Sequence, residues 1–341
     1  MLKIGVIGCG YWGPNLIRNF NALPDAEVAA IADLDEKRLG HVGLLYPGAL
    51  KTTDHMRIIE DPSIDAVVVA TPMTTHFRLG KQVLEAGKHL FLEKPMATTA
   101  DDCRALNTLA AKQGRHVMVG HTFIYTPAVR KIKSLMDTGE LGDVYYVNIQ
   151  RVNLGLFQKD ANVVWDLAPH DVSMLNFLFD GDPVRVSATG RCYVQQDLGV
   201  EDVAFLTLEY PNGRLAHIHV SWLDPNKIRN CTVVGSRKML VYDDVSPAEK
   251  IRVYDKGVDV QPHYESFGEF QLLYRSGDVF IPRLDTVEPL RIEAQHFVDV
   301  INGKASLMST GVHGLRVVQV LEQACRSIKE DGRPLDLVYN D

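Results

Sequence analysis

The stretch of sequence that decides the fold is Leu2-Lys3-Ile4-Gly5-Val6-Ile7-Gly8-Cys9-Gly10-Tyr11-Trp12-Gly13. An apolar strand pattern runs directly into G-x-G-x-x-G, the turn at which a parallel sheet holds the pyrophosphate of a dinucleotide. Gly8 permits the tight turn, Gly10 lets the backbone approach the phosphates, and Gly13 lets the next helix pack closely on the sheet. The N-terminus of that helix favours negative charge. The stretch therefore predicts a dinucleotide-binding site.

A second apolar run, Val28–Ala32, ends on Asp33. This carboxylate lies about 20 residues beyond Gly13, the spacing at which an acidic residue accepts hydrogen bonds from the adenine-side ribose. Asp33 would repel a 2′-phosphate, so the pattern predicts NAD as the cofactor. Lys37 and Arg38 follow closely and would suit the 2′-phosphate, which leaves NADP open, although we interpret both as ordinary exposed helix cations.

The N-terminal part of the chain alternates strand and helix patterns. The strand patterns are Lys3–Ile7, Val28–Ala32, Ala49–Thr52, Ala66–Ala70, His89–Leu92 and His116–Val119, and the helical patterns include Thr75–Ala86 and Ala100–Lys112. Gly87 and Gly114 follow these two helices as C-terminal caps. Short apolar strands separated by helices predict a doubly wound α/β Rossmann domain, which we place at residues 1–122, with its ligand beyond the carboxyl ends of the strands.

The remainder, residues 123–341, has a different pattern. Helices are predicted at Pro127–Met136, Asp166–Phe179, Leu290–Ile301 and Gly314–Ile328, and strands at Val144–Val152, Val184–Tyr193, Val203–Tyr210, Leu215–Trp222, Cys231–Val234 and Lys238–Tyr242. Pro211-Asn212-Gly213 is a hairpin signal. Successive strands without helices predict an α+β domain with an open, mostly antiparallel sheet, for substrate binding and oligomerisation. An arrangement in which the C-terminal helices pack back against the first domain stays open.

Residues 255–286 are predicted to be an irregular loop. The aromatic residues of this segment are Tyr264, Phe267, Phe270, Tyr274 and Phe280. We expect them to pack against substrate or a neighbouring subunit.

Composition excludes several classes of function. Of 341 residues, 46% are apolar and 23% are charged, which are the proportions of a soluble globular protein. The net charge of −7 does not provide the basic surface that binding to nucleic acid requires. No apolar stretch is long enough for a membrane span. Five scattered cysteines without a C-x-x-C pair predict reduced thiols, with neither disulfides nor a metal site. A first strand that begins within two residues of Met1 leaves no room for a leader, so we expect a cytoplasmic protein.

One candidate for chemistry lies where the strand pattern His89–Leu92 ends, at Glu93-Lys94-Pro95. Residues at that strand end point toward the cofactor cleft of a doubly wound sheet, so Lys94 could present an ammonium group to a substrate oxygen. The alternative is a surface ion pair between Glu93 and Lys94 at a turn. The bond between Lys94 and Pro95 is a candidate cis peptide.

A second candidate is Asp166 with His170, which share a face if the segment is helical. A histidine beside a carboxylate is suited to general acid/base chemistry. Alternatively, Asp166 caps the helix and His170 is a half-buried structural residue, and for Asp166 we favour the cap. His217 and His219 alternate along a strand without a third ligand nearby, so we interpret them as sheet-surface residues.

Over nearly its whole length the chain resembles the Gfo/Idh/MocA family of oxidoreductases. The residues that carry the resemblance are G-x-G-x-x-G, Ala70-Thr71-Pro72 with His76, A-G-K-H-x-x-x-E-K-P at 86–95, and D-x-x-x-H at 166–170. The resemblance implies that Lys94 is the catalytic lysine and that Asp166 and His170 are the acid/base pair. It also implies a cis bond before Pro95 and oligomer interfaces on the C-terminal sheet, in a dimer or tetramer.

The resemblance also supplies the expected binding residues. The expected cofactor contacts are Gly8, Gly10, Tyr11, Trp12, Gly13, Asp33, Leu34, Thr71, Pro72, His76 and Glu93, with Glu93 and His76 shaping the nicotinamide pocket. The expected substrate contacts are Lys94, Tyr125, Arg151, Asn153, Trp165 and His170.

The implied reaction is hydride transfer between nicotinamide and a secondary hydroxyl or ketone of a sugar. Residues 10–15 and 165–171 resemble family members that act on nucleotide-linked sugars, such as 3-dehydrogenases and C3-ketosugar reductases. Two alternatives stay open, namely a free polyol or inositol dehydrogenase and a regulatory protein that binds NAD(H) without turnover.

Overall fold

The structure is a computed structural model that describes residues 1–159, 161–260 and 272–339. These residues form two compact units. The first unit comprises Met1–Thr126 and Val287–Glu322 with Tyr339, and the second comprises Pro127–Thr286 and Gln323–Val338. The first unit thus extends slightly past the predicted boundary at residue 122 and includes a C-terminal segment.

The first unit contains a six-stranded sheet in which all neighbours are parallel. Its strands are β1 (Leu2–Ile7), β2 (Ala26–Ala32), β3 (Leu50–Thr52), β4 (Ala66–Val69), β5 (His89–Glu93) and β6 (Val117–Gly120). The intervening helices are α1 (Gly13–Asn21), α2 (Glu36–Leu45), α3 (Met56–Ile59), α4 (His76–Glu85) and α5 (Ala100–Gln113). The strand order is β3-β2-β1-β4-β5-β6, so the direction of winding reverses between β1 and β4. The doubly wound prediction is confirmed, and the reversal marks the edge where ligands bind in such sheets.

The second unit contains a nine-stranded sheet and the helices that accompany it. The helices are α6 (Pro127–Asp137) and α7 (Val163–Phe179). The strands are β7 (Val144–Val152), β8 (Arg185–Arg191), β9 (Val203–Glu209), β10 (Leu215–Ser221), β11 (Ile228–Gly235), β12 (Met239–Asp243), β13 (Ile251–Val260) and β14 (Leu272–Phe280). Along the chain, α8 (Pro289–Ile301) follows and belongs to the first unit, α9 (Gly311–Lys329) continues from the first unit into the second, and β15 (Leu335–Asp336) belongs to the second.

The order in this sheet is β14-β13-β12-β11-β7-β10-β9-β8-β15. Only β7 and β10 pair in parallel within the described sheet, which confirms the mostly antiparallel prediction. Helix α7 packs on β7, β9 and β10. The side chains beneath it are apolar and buried, whereas the alternate residues of the same strands face the other way.

The hairpin prediction between β9 and β10 is confirmed. Asn212 and Gly213 adopt φ angles of 66° and 75° in the turn. Asparagine and glycine reach this left-handed region at low cost, which allows the chain to reverse over a short connection.

The irregular loop predicted for residues 255–286 is wrong where the structure describes it, because β13 and β14 form an antiparallel pair there. Two glycines obscured the strand pattern: a Cβ at Gly277 would lie 2.5 Å from the Asp255 carboxylate, and one at Gly257 would lie 2.5 Å from the Arg275 guanidinium. Each glycine leaves room for a charged group of the partner strand. Tyr274 is 81% exposed within the chain, so its packing against substrate or a neighbouring subunit stays a prediction. Tyr264, Phe267 and Phe270 lie outside the described residues.

All five cysteines are free thiols. Throughout the parts of the chain that the structure describes, no helix combines the length and apolar character that a membrane crossing requires.

Candidate functional site

The glycine-rich turn after β1 has the geometry of a phosphate cradle. Gly8 has a φ of 106°, and a Cβ there would lie 2.6 Å from the Ala70 carbonyl oxygen. A Cβ at Gly13 would lie 2.0 Å from the Gly8 carbonyl oxygen. Only glycine fits at either position. Above Gly10 the space is open, because the nearest group to a Cβ would be Nη1 of Arg38 at 3.9 Å. The turn therefore leaves backbone accessible where phosphates would approach.

Helix α1 begins at this turn without a capping side chain. Trp12 occupies the cap position and makes no side-chain hydrogen bond to the first turn. Pro14 lies in that turn, where a missing N–H costs no intrahelical bond. An uncapped helix N-terminus is suited to an anionic group such as a pyrophosphate.

Asp33 is held in place by the backbone around it. Its Oδ2 accepts a hydrogen bond from the Cys9 N–H at 2.5 Å, and its Oδ1 accepts one from the Asp35 N–H at 2.8 Å. The carboxylate therefore lies directly beside the glycine turn. Tyr11 and Leu34 are almost fully exposed on either side of it. These residues fit the adenosine half of a dinucleotide.

The end of β5 places Glu93 and Lys94 at the same edge of the sheet. Glu93 is only 8% exposed, its carboxylate would be 3.2 Å from a Cβ at Gly120, and it accepts a hydrogen bond from the Lys94 N–H at 3.3 Å. Glu93 is buried, so the alternative of a pair at an exposed turn is wrong in its surface location, whereas an ion pair between Glu93 and Lys94 stays a prediction. Burial raises the pKa of Glu93 to about 7, and the nearby charge of Lys94 opposes the rise. The bond between Lys94 and Pro95 is cis.

His76 connects the ends of two strands. Its Nδ1 lies 2.9 Å from the Pro95 carbonyl oxygen, and its Nε2 lies 2.9 Å from the Thr71 carbonyl oxygen. Burial lowers the pKa of His76. A neutral imidazole carries one N–H, so it donates to one of these two carbonyls. His76 thereby links the turn after β4, which contains Pro72, to the turn that presents Lys94.

The sequence reading missed a set of buried polar residues beside Glu93. Glu293 of α8 accepts a hydrogen bond from the Thr122 hydroxyl at 2.7 Å, and burial followed by the Glu93 charge raises its pKa well above the ordinary value. The His121 ring packs edge-on against His313 at 5.2 Å, and burial lowers its pKa well below normal. The position of His121 directly after β6 could have predicted its placement, whereas nothing local in the sequence signals Glu293.

In the second unit, α7 carries the predicted acid/base pair. Asp166 lies in its first turn and His170 one turn later, on the same face. The interpretation of Asp166 as the cap is wrong, since Asn162 caps the helix by accepting a hydrogen bond from the Trp165 N–H at 3.1 Å. The helix continues through Pro169, which forgoes one backbone hydrogen bond there.

The carboxylate of Asp166 has a partner that the sequence reading missed. The indole N–H of Trp222, the residue after β10, donates a hydrogen bond to Asp166 Oδ2 at 2.9 Å. Trp222 lies 56 residues beyond Asp166, so no spacing rule relates the two.

Two predicted substrate contacts are buried in the interior, and this corrects the prediction for them. Arg151 forms a buried ion pair with Asp171, with nitrogen–oxygen distances of 2.7, 2.9 and 3.1 Å. The buried Tyr125 hydroxyl lies 2.9 Å from the Ser309 hydroxyl. Both side chains are therefore committed to internal partners. Asn153 is half-buried, and its predicted substrate contact stays a prediction, as does that of Trp165.

Other candidates carry no chemistry. His219 stacks on Phe205 with ring centroids 4.3 Å apart, in keeping with a sheet-surface residue. The described residues contain no group of three or more His, Cys, Asp or Glu side chains that could hold a metal ion. Burial raises the pKa of Cys9 to about 12, so this thiol is not a nucleophile.

Two family models match the chain. An oxidoreductase family with an NAD-binding Rossmann fold matches residues 2–121. The GFO/IDH/MocA C-terminal domain matches residues 129–241. Together the two matches span more than half of the 341 residues.

Known relatives align over part of their length. The chain is 28% identical over 222 residues to the uncharacterized oxidoreductase YrbE of Bacillus subtilis, covering 63% of this chain and 65% of that relative. It is 31% identical over 224 residues to inositol 2-dehydrogenase 2 of Saccharopolyspora erythraea, covering 64% and 66%. The chain thus spans just under two thirds of the length of these two relatives.

A solved structure extends the likeness to nearly the whole chain. UDP-N-acetylglucosamine 3-dehydrogenase GnnA from Acidithiobacillus ferrooxidans is similar with a TM-score of 0.80 and 22% identity, covering 96% of this chain and 98% of that one. At this level of identity the likeness shows a shared fold.

Proposed function

The chain belongs to the Gfo/Idh/MocA family of oxidoreductases, and from this membership we propose that it transfers a hydride between NAD and a secondary hydroxyl of a sugar-like alcohol. The observation that carries the proposal is the grouping in the first unit of the glycine turn, Asp33 and Lys94 at the carboxyl edge of one parallel sheet. A dinucleotide site beside a lysine ammonium is what alcohol oxidation requires.

In the proposed reaction, His170 accepts the hydroxyl proton as a general base. Asp166, one turn away, orients the imidazole and stabilises the imidazolium that forms. Lys94 stabilises the negative charge that develops on the substrate oxygen. The bound dinucleotide would supply the ring that accepts the hydride. Reduction uses the same residues in reverse.

Two substrate classes are supported by different observations. Cyclic polyols are favoured by the 31% identity to an inositol 2-dehydrogenase. Nucleotide-linked sugars oxidised at C3 are favoured by residues 10–15 and 165–171, and the fold is shared with a UDP-N-acetylglucosamine 3-dehydrogenase. NAD is the proposed cofactor for both, because Asp33 disfavours a 2′-phosphate.

The test is absorbance at 340 nm with purified protein, NAD or NADP, and a panel of myo-inositol, scyllo-inositol, free hexoses and UDP-N-acetylglucosamine. We expect turnover with NAD and one substrate class. Lys94→Ala is expected to abolish turnover and to leave NAD affinity within about threefold. NAD binding with no turnover on any substrate would favour the alternative, a regulatory NAD(H)-binding protein.

We further propose a homo-oligomer formed through the face of the nine-stranded sheet opposite α7. Tyr146, Phe205 and Leu215 lie on that face and are each more than 40% exposed. Light scattering is expected to give a dimer or tetramer, and Phe205→Glu to dissociate it. A monomer at every concentration would contradict the proposal. The five free thiols support a reducing, cytoplasmic location.

A further inference from the structure

Trp222 is a deeply buried aromatic residue that contacts Asp166 of the proposed acid/base pair. Its side chain is 1% exposed, and its indole N–H donates to Asp166 Oδ2 at 2.9 Å. A buried indole N–H needs an acceptor, and many acceptors would serve. Here the acceptor is a carboxylate, so the hydrogen bond is charge-assisted and stronger than one to a neutral group.

The indole is itself fixed from two sides. The backbone N–H of Trp222 donates to the Asp202 carbonyl at 2.9 Å, and its carbonyl accepts from the Gly155 N–H at 2.9 Å. A Cβ at Gly155 would lie 3.1 Å from Cδ1 of the indole, and the Phe157 ring packs edge-on at 5.7 Å. The two backbone hydrogen bonds and the close approach of Gly155 define the direction in which the N–H points.

The acceptor side is fixed by the start of α7. Asn162 caps the helix with its side-chain oxygen and donates from its amide nitrogen to Glu201 Oε2 at 2.8 Å. Asp166 therefore starts from a defined backbone position. A donor on one carboxylate oxygen then selects the rotamer of Asp166.

We propose that Trp222 is a positioning residue, whose indole N–H holds the Asp166 carboxylate in the rotamer that orients His170 for proton transfer. The inference rests on the proposed function, because it assigns His170 as the base. The inference adds Trp222 to the pair of Asp166 and His170. The Asp166 carboxylate orients the His170 base, and the Trp222 indole orients the carboxylate.

The test is Trp222→Phe, which keeps a buried aromatic ring and removes the N–H. We expect kcat to fall about 10- to 100-fold, the range for loss of a hydrogen bond to a charged group. KM for the alcohol and the Kd for NAD are expected to stay within about threefold, because neither binding step uses the Asp166 rotamer. A kcat within twofold of wild type would overturn the proposal.

Phe157→Leu is the matched control, because it loosens the same aromatic contact and retains the indole N–H. We expect its kcat to stay within about threefold of wild type. Equal losses in the two variants would assign the effect to packing and overturn the proposal. Trp222→Tyr is measured alongside, because its side chain is larger than that of Phe and fills more of the space left by the indole. If neither Trp222 variant melts cooperatively and binds NAD, Trp222 is a structural residue, and this result also overturns the proposal.

Lys94→Ala in the same assay separates this inference from the proposed function. Full turnover by Lys94→Ala refutes the proposed function, whatever Trp222→Phe does. An inactive Lys94→Ala together with a fully active Trp222→Phe refutes the inference alone.

Discussion

The carboxyl edge of the six-stranded sheet and the first turns of α7 are built in different ways. At the sheet edge, residues that follow β1, β2 and β5 arrive together because parallel strands end at one edge. Along α7, Asp166 and His170 lie four residues apart, but the indole that holds Asp166 comes from Trp222 after β10, and the guanidinium that anchors Asp171 of the same helix comes from Arg151 of β7. Topology thus positions the proposed cofactor site, and specific long-range contacts position the proposed acid/base pair.

The largest effect is expected from Gly13→Ala, which tests the glycine turn at the carboxyl edge of the six-stranded sheet. The added Cβ would lie 2.0 Å from the Gly8 carbonyl oxygen, so the turn must open. We expect the Kd for NAD to rise about 100-fold or more. Gly40→Ala is the control, because nothing lies within 4 Å of a Cβ at that helical position. Calorimetric titration measures both, and an unchanged Kd for Gly13→Ala would contradict the phosphate-cradle assignment.

Arg151→Met tests the buried ion pair between Arg151 of β7 and Asp171 of α7. It leaves Asp171 as a buried carboxylate without its bidentate partner, and breaking such a pair costs about 3–5 kcal/mol. Lys81→Ala removes an exposed pair with Glu85 and is expected to cost less than about 0.5 kcal/mol. Urea unfolding measures the difference. Equal small losses in the two variants would show that the buried pair does not anchor the helix.

The buried Glu93 predicts a pH dependence of stability for the first unit. Its pKa of about 7 lies above the ordinary 4.5, so between these values the folded state holds a proton that the unfolded state has released. Stability therefore falls as pH rises through that window, by about 3 kcal/mol. We expect Glu93→Gln to flatten the change in melting midpoint between pH 5 and 8. A slope identical to that of wild type would contradict the burial argument.

The smallest effect is expected from the cap of α7. Asn162→Ala is expected to cost about 1 kcal/mol and to lower kcat severalfold, because Asp166 loses its fixed backbone position. Thr99→Ala removes the equivalent cap of α5, where the Thr99 hydroxyl accepts from the Asp102 N–H. We expect the same loss of stability there with kcat unchanged. Equal kcat values for the two variants would remove the link between the cap and the chemistry.

The features that the sequence predicted well depend on residues close together in the chain. The glycine turn and the Pro211-Asn212-Gly213 hairpin depend on residues whose backbone preferences act over a few positions. The alternation of strands and helices then gave the doubly wound sheet, and with it the edge at which Lys94 lies.

What the sequence did not predict depends on contacts between distant residues. Arg151 resembled an accessible cation because its partner Asp171 comes from another element. Trp222 and Glu293 are distant in sequence from the groups they touch, so no spacing rule finds them. The cap was assigned to Asp166 instead of Asn162 because α7 begins three residues earlier than its apolar pattern indicates.

The central claim of the proposed function is that Lys94 and His170 both take part in hydride transfer. Its most direct test is a single-turnover measurement in which NAD-loaded protein is mixed with the alcohol that supports turnover, and absorbance at 340 nm is followed. Lys94→Ala and His170→Ala are each expected to bind NAD as wild type does and to slow the single turnover by more than about 100-fold. A burst at the wild-type rate in either variant would contradict the claim.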